Sequence, residues 1–251
     1  MRPLFVLLCL LCFAQVSAAQ QELISVPFVD ETDTGSPIAV IGQISLRETI
    51  AANQVASSWG ERVVAKNIST KPILLFVASL AELGRHGRGA FRGPGDGPTY
   101  ILSNDRFFTK TVIQPGESLV LRDTTPDTAQ VECCVNPLTR GSDPKATFRV
   151  CFVQFADGSS FGDPAEGKDA LEIRGVILNG LRKLVQSYSD HGQAGLSTEM
   201  DQQSPWSATL PFAEIRASYE QNGAAAAIAR AQQILAIAEN HEVAIRRAEI
   251  R

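Results

Sequence analysis

Between Ile38 and Ala156 the chain is a succession of short runs rich in β-branched and aromatic residues, each closed by Gly, Pro, Asn or Asp. Nothing else constrains the fold as tightly. Strands joined by short turns pair as antiparallel neighbours, whereas parallel partners need a crossover of about a dozen residues between them. The candidate strands are Ile38 to Leu46, Arg62 to Asn67, Ile73 to Leu80, Arg106 to Ile113, Leu119 to Arg122, Gln130 to Val135 and Thr147 to Phe155. Between the second and third, Asn67-Ile68-Ser69-Thr70-Lys71-Pro72 supplies turn formers, and Gln114-Pro115-Gly116-Glu117 places Pro-Gly at the centre of a type II turn. Runs at this spacing predict two sheets packed face to face.

Two stretches interrupt the pattern. From Ser45 to Ala56, Ser45 and Glu48 have capping-box spacing and read as the start of a short helix, yet Thr49, Ile50 and Val55 suit a strand equally well. From Gly84 to Pro98 the chain is glycine-rich and aperiodic, which predicts a surface loop made locally positive by Arg85, His86, Arg88 and Arg92.

Beyond Asp163 the rhythm changes from two residues to between three and four. Asp163 and Pro164 are an N-cap followed by proline at the first helical position, and Ile173, Ile177, Leu181, Leu184 and Tyr188 form the apolar face of a helix ending near His191-Gly192. A polar, irregular stretch from Gln193 to Ser204 follows. The last segment, Ala224 to Ile250, carries Ile228, Ala231, Leu235, Ala238 and Ile245 as a stripe that packs either within the chain, the favoured reading, or on a partner. The organisation expected is a signal at residues 1–19, a β-sandwich over 20–163 and a helical region over 164–251.

The signal assignment rests on Arg2, the apolar run Leu4 to Phe13 and the small residues around Ser17-Ala18-Ala19. That run is too short to span a bilayer, which takes roughly 20 residues, so the expectation is an extracytoplasmic protein without a transmembrane segment. Leu10 and Leu11 stand before Cys12 where a lipid-attachment site wants a small residue. The net charge of -4 gives no basic face for nucleic acid.

Export makes a disulfide among Cys133, Cys134 and Cys151 plausible. Adjacent strand residues point to opposite faces, so one of the first two is available to Cys151. Pairing Cys133 with Cys151 sets Val131 opposite Val153 and Ala129 opposite Phe155 in a coherent apolar face; a slip of one residue brings Cys134 opposite instead, and buried free thiols are equally compatible.

One motif points to catalysis. Gly158-Ser159-Ser160-Phe161-Gly162 has the G-x-S-x-G form of a hydrolase nucleophile elbow, which would make Ser160 the nucleophile with His191 or His241 as base and Asp190 or Asp201 as acid. The elbow needs a sharp corner between a parallel strand and a helix, and hairpin-linked strands do not supply one. The three histidines, His86, His191 and His241, have no zinc spacing, and Asp157 with Asp163 lacks the alternating oxygens of an EF-hand. The reading that follows assigns no cofactor, metal or catalytic residue. Asn67-Ile68-Ser69 is a glycosylation acceptor by pattern, although Asn67 is also a natural turn residue.

Three segments together resemble uncharacterised exported bacterial proteins with an immunoglobulin-like or fibronectin-III-like β-sandwich: Glu61 to Leu80 (ERVVAKNISTKPILLFVASL), Phe107 to Leu121 (FFTKTVIQPGESLVL) and Phe152 to Asp163 (FVQFADGSSFGD). The resemblance covers about half the chain and implies an envelope or extracellular module with a binding or scaffolding role, its partner a protein or envelope component. Trp59 precedes the second strand and the cysteines are too close in sequence for the long-span bridge of antibody domains, so immune-type recognition is not implied.

Overall fold

The structure, a computed structural model, describes residues 20–51, 54–83, 99–125, 132–135, 145–202 and 210–249. Residues 1–19, where a signal is expected, and the glycine-rich stretch at 84–98 lie outside them. The described residues form ten strands: β1 Gln20–Val26, β2 Phe28–Asp30, β3 Ile38–Ala51, β4 Gln54–Asn67, β5 Ile73–Leu83, β6 Thr99–Asp105, β7 Ser118–Thr124, β8 Glu132–Val135, β9 Lys145–Phe155 and β10 Ser160–Gly162. Three helices follow, α1 Pro164–Gln202, α2 Leu210–Asn222 and α3 Ala224–Glu249.

The strands make two five-stranded sheets. In the first the order is β1-β3-β4-β7 with β8 also on β4; in the second it is β10-β9-β5-β6 with β2 on β9. Every pairing is antiparallel except β2 with β9. The chain passes from the first sheet to the second at Pro27, between β1 and β2. Inward residues of both sheets share one core, with Ile38, Ile44, Leu46, Val63 and Ala65 meeting Phe76, Ala78, Leu80, Phe148, Val150 and Val153. The expected face-to-face arrangement of antiparallel sheets followed by helices is therefore present.

The open question over residues 45–56 resolves as strand. β3 and β4 form one long hairpin from Ile38 opposite Asn67 to Ala51 opposite Gln54, and Ser45 faces Gly60 instead of capping a helix. A capping box acts only if the chain after it turns helical, and here fourteen residues find a strand partner instead. The type II turn at Pro115-Gly116 forms with Gly116 at φ 81°.

Two expectations are corrected. Residues 106–113 are not a strand: the Arg106 N–H donates to the Leu74 carbonyl, Thr109 N–H donates to the Arg106 carbonyl, and only Ile113 bridges, to Ile73. The apolar residues that imitate a strand are plugs, Phe107 and Ile113 being 2% exposed, and the strand lies just upstream at β6. The stretch from Gln193 is helical to Gln202, beyond a break at Gly192 with φ 61°. Leu196, fully buried among Leu184, Ile215 and Ile234, holds that turn in place.

α1 covers the face of the second sheet that points away from the first. Leu75, Val77 and Phe152 pack there against Ala170 and Leu171. A Cβ at Gly167 would stand 2.3 Å from the Phe152 ring, so glycine lets the helix approach this closely. The small-residue stripe of α3 packs within the chain: Ala227, Ile228, Ala231 and Ile234 are buried with Ile177, Leu181 and Ile215. By contrast Ile41 and Val120, which flank Val64 across β3, β4 and β7, are 71% and 57% exposed, so the outward face of the first sheet is open.

Candidate functional site

Ser160 does not stand at an elbow. It is the first residue of β10, opposite Gln154 in an antiparallel hairpin, and it is exposed. The corner belongs to Asp157-Gly158-Ser159, where the Asp157 carboxylate accepts from the Ser159 N–H at 3.0 Å and from its hydroxyl at 2.5 Å. Lys71 Nζ closes this turn, 2.8 Å from Asp157 Oδ2 and donating to Ser159 Oγ at 2.9 Å. Neither histidine reaches Ser160: His191 is exposed on α1, and His241 sets Nε2 3.3 Å from the Thr109 carbonyl with its ring against Phe107. Asp190 is held by the Gln186 amide. Among the described residues no histidine is within reach of Ser160, whereas nucleophilic acyl transfer by a serine relies on an adjacent base. Replacing Ser160 with Ala is expected to leave the melting temperature and any esterase or amidase rate unchanged. A lost rate, or covalent labelling of Ser160 by a fluorophosphonate, would contradict this placement.

Lys71, and after it Ser159, pull the Asp157 carboxyl from 3.8 down to about 2. A depressed folded-state value means that the ion pair stabilises the fold above the ordinary value and ceases to as the pH falls through about 2. Lys71 and Asp157 are 48% and 50% exposed, so solvent screening limits the effect to about 0.5 kcal/mol. Asp157→Asn should melt slightly below the wild type at neutral pH and level with it near pH 2, as followed by circular dichroism.

Among the described residues no three His, Cys, Asp or Glu side chains gather as a metal site. The glycosylation pattern at Asn67 sits on a structural residue. Asn67 is 2% exposed, its amide nitrogen donates to the Lys71 and Ile113 carbonyls, and its oxygen accepts from the Ser69 N–H and hydroxyl. A glycan there would require these bonds to break.

The side-by-side register expected for Cys133 and Cys151 is not formed. β8, which carries Cys133 and Cys134, pairs with β4 in the first sheet, while Cys151 lies in β9 of the second. Cys151 is a buried free thiol with Sγ 3.7 Å from Ser79 Oγ. The free outer flank of β4 captures β8, and β9 already has β5, β10 and β2.

A groove of about 800 Å³ runs across the first sheet. It is lined by residues 23–28, 42–45, 60–62 and 123–125, so it crosses from β1 through β3 and β4 to the end of β7. Gly42 and Gly60 contribute no side chain. Gly42 is required by packing, since a Cβ there would meet the Phe28 ring at 2.2 Å. The lining is mixed: Ser25, Gln43, Ser45, Arg62, Asp123, Thr124 and Thr125 alternate with aliphatic residues.

Glu61 lies in this lining although it is only 4% exposed. It shares the inward face of β4 with Val63, Ala65 and Asn67, opposite Ile44. Arg122 Nε donates to its Oε2 at 2.7 Å, and the Arg122 guanidinium stacks 4.6 Å from the Tyr100 ring centroid. The Thr124 hydroxyl accepts from the Glu61 N–H at 3.1 Å. Arg122 on β7 and Tyr100 on β6 thus tie the two sheets along one side, behind the strands that line the groove.

A second polar cluster holds the helices. Arg174 on α1, 7% exposed, donates from Nε and Nη2 to the two Asp105 carboxylate oxygens at 3.0 and 2.9 Å and from Nη1 to Gln154 Oε1 at 2.7 Å. Its guanidinium stacks 4.4 Å from the Phe107 ring centroid. Every partner is a strand or turn residue of the second sheet, so this is an anchor rather than a site open to ligands. No known protein family, curated protein or solved structure matches this chain.

Proposed function

We propose that this is an exported, non-catalytic binding module, built as an immunoglobulin-like β-sandwich with a helical buttress, and that the groove across the first sheet is where it binds. The observation that carries the reading is the asymmetry of the two sheets. The second has its outward face covered by α1 over Leu75, Val77 and Phe152, with Ile101 left exposed, whereas the first presents an open groove backed by the ion pair of Glu61 and Arg122. A preformed, partly apolar concavity with a few fixed polar groups is the usual form of a recognition site. The small residues at the N-terminus support export, and the passage of the first strand from one sheet to the other at Pro27 supports the immunoglobulin-like assignment.

The test is in-cell photo-cross-linking with a reactive residue at Gln43 in the groove or at Lys183 on the exposed side of α1. A discrete adduct from position 43 that disappears when Ser45→Trp fills the groove is expected. An adduct at position 183 alone, or one at position 43 that Ser45→Trp leaves intact, would refute the reading.

A further inference from the structure

One end of the groove is formed by β1, and β1 is also the margin of its sheet. Its seven residues pair with β3 and with no other described strand. Natural edges are usually blunted by lysine, proline or a bulge, or are kept very short. The second sheet follows that rule on one margin, where β2 and β10 have three residues each. β1 has no lysine, no proline before Pro27 and no bulge, its register to β3 runs unbroken from Gln20 to Val26, its single charged residue is Glu22, and Leu23 at its centre is 64% exposed. Of the other seven-residue margins, β6 contributes nothing to the groove lining, and β7, whose end does, is broken by a bulge opposite Val63 and Val64 and carries Arg122 and Asp123. Among the described margins, β1 alone joins a long edge without a bulge to the groove.

Resting on the groove being the binding site, we infer that its ligand is an extended polypeptide segment. The segment adds to the first sheet as a further strand beside β1, with side chains of one parity reaching the groove. Backbone N–H and C=O groups along the edge give affinity that is independent of sequence, and a cavity beside such an edge selects alternate side chains. The groove favours a polar or amphipathic side chain there, because Arg62 and Asp123 stand opposite each other across β4 and β7 with Gln43 on the other flank of Arg62. The residue beside Leu23 should be apolar. Among the described residues lining the groove the one aromatic is Phe28, which is packed on Gly42 and Phe148 and so offers no free platform of the kind that stacks on sugars.

The test selects linear peptides from a phage-displayed library on the mature protein, with counter-selection on Ser45→Trp. Selected peptides are then resynthesised with a single N-methyl group at each position in turn. Strand addition predicts a two-residue period, with alternate N-methylations weakening binding by about tenfold and the intervening ones tolerated. Leu23→Lys should weaken binding while leaving the melting temperature unchanged. Binding that is sensitive to Ser45→Trp but indifferent to N-methylation and to Leu23→Lys would overturn strand addition and leave the groove standing. Failure to recover any peptide sensitive to Ser45→Trp would overturn the peptide assignment, and light scattering showing the wild type as a dimer that Leu23→Lys dissociates would assign the edge to a second copy of the chain instead.

Discussion

Arg174→Ala is expected to destabilise the protein by about 3 kcal/mol, the low end of the range for breaking a buried ion pair. The substitution removes two charge-assisted bonds to Asp105, leaves the Gln154 oxygen without its donor and opens a void over Phe107. The Asp105 carboxylate is 24% exposed and recovers some hydration, which keeps the cost from the upper end. Arg174→Met refills much of the void and still strands the carboxylate, so it should lie between Ala and the wild type. Urea denaturation monitored by far-ultraviolet circular dichroism measures both. If the two variants matched the wild type, the helices would not depend on this contact for their place on the second sheet.

Gly162→Ala should be comparably damaging, at about 3 kcal/mol, for a backbone reason. Gly162 has φ 85°, and a Cβ would stand 2.2 Å from the Cys151 carbonyl oxygen. That oxygen belongs to the strand paired with β10, so neither atom can withdraw without parting the hairpin. Gly158→Ala is the control. It has nearly the same φ, 86°, but its Cβ would meet the Ile245 backbone at 3.1 Å, where a small shift of the α3 end relieves the contact. Equilibrium denaturation should therefore rank Gly162→Ala well below Gly158→Ala. Equal losses would mean that the positive φ alone sets the cost and that the close approach to Cys151 contributes nothing.

The β layers were legible because alternation and turn chemistry are local. Residues 73–80 and 147–155 read as strands from their composition and are strands, and Asp163-Pro164 starts α1 as its cap chemistry predicts. The misreadings share a cause in long-range partners. Residues 106–113 imitate a strand because buried plugs and strand residues draw on the same side chains. Residues 193–202 look irregular because their helix buries little more than Gly195 and Leu196, with Met200 packed beside them. The cysteine register failed because which strand β8 joins depends on the free flank of β4, not on β8 itself.

The groove left one trace in the sequence. Once Val63 and Ala65 are read as inward residues of β4, the period of two also turns Glu61 and Asn67 inward, and a carboxylate at a core position needs a partner. That partner, Arg122, lies on a strand sixty-one residues away and no local pattern predicts it. The open face of the first sheet was equally hidden, since its exposure depends on α1 packing against the second.

Amide hydrogen exchange followed by mass spectrometry, comparing the purified protein with the same protein in an extract of its own cells, reports most directly where a partner lands. Protection concentrated in residues 23–28, 42–45, 60–62 and 123–125 is the predicted result. Protection confined to α1 or α3, with these segments exchanging as they do in the purified protein, would contradict recognition through the first sheet.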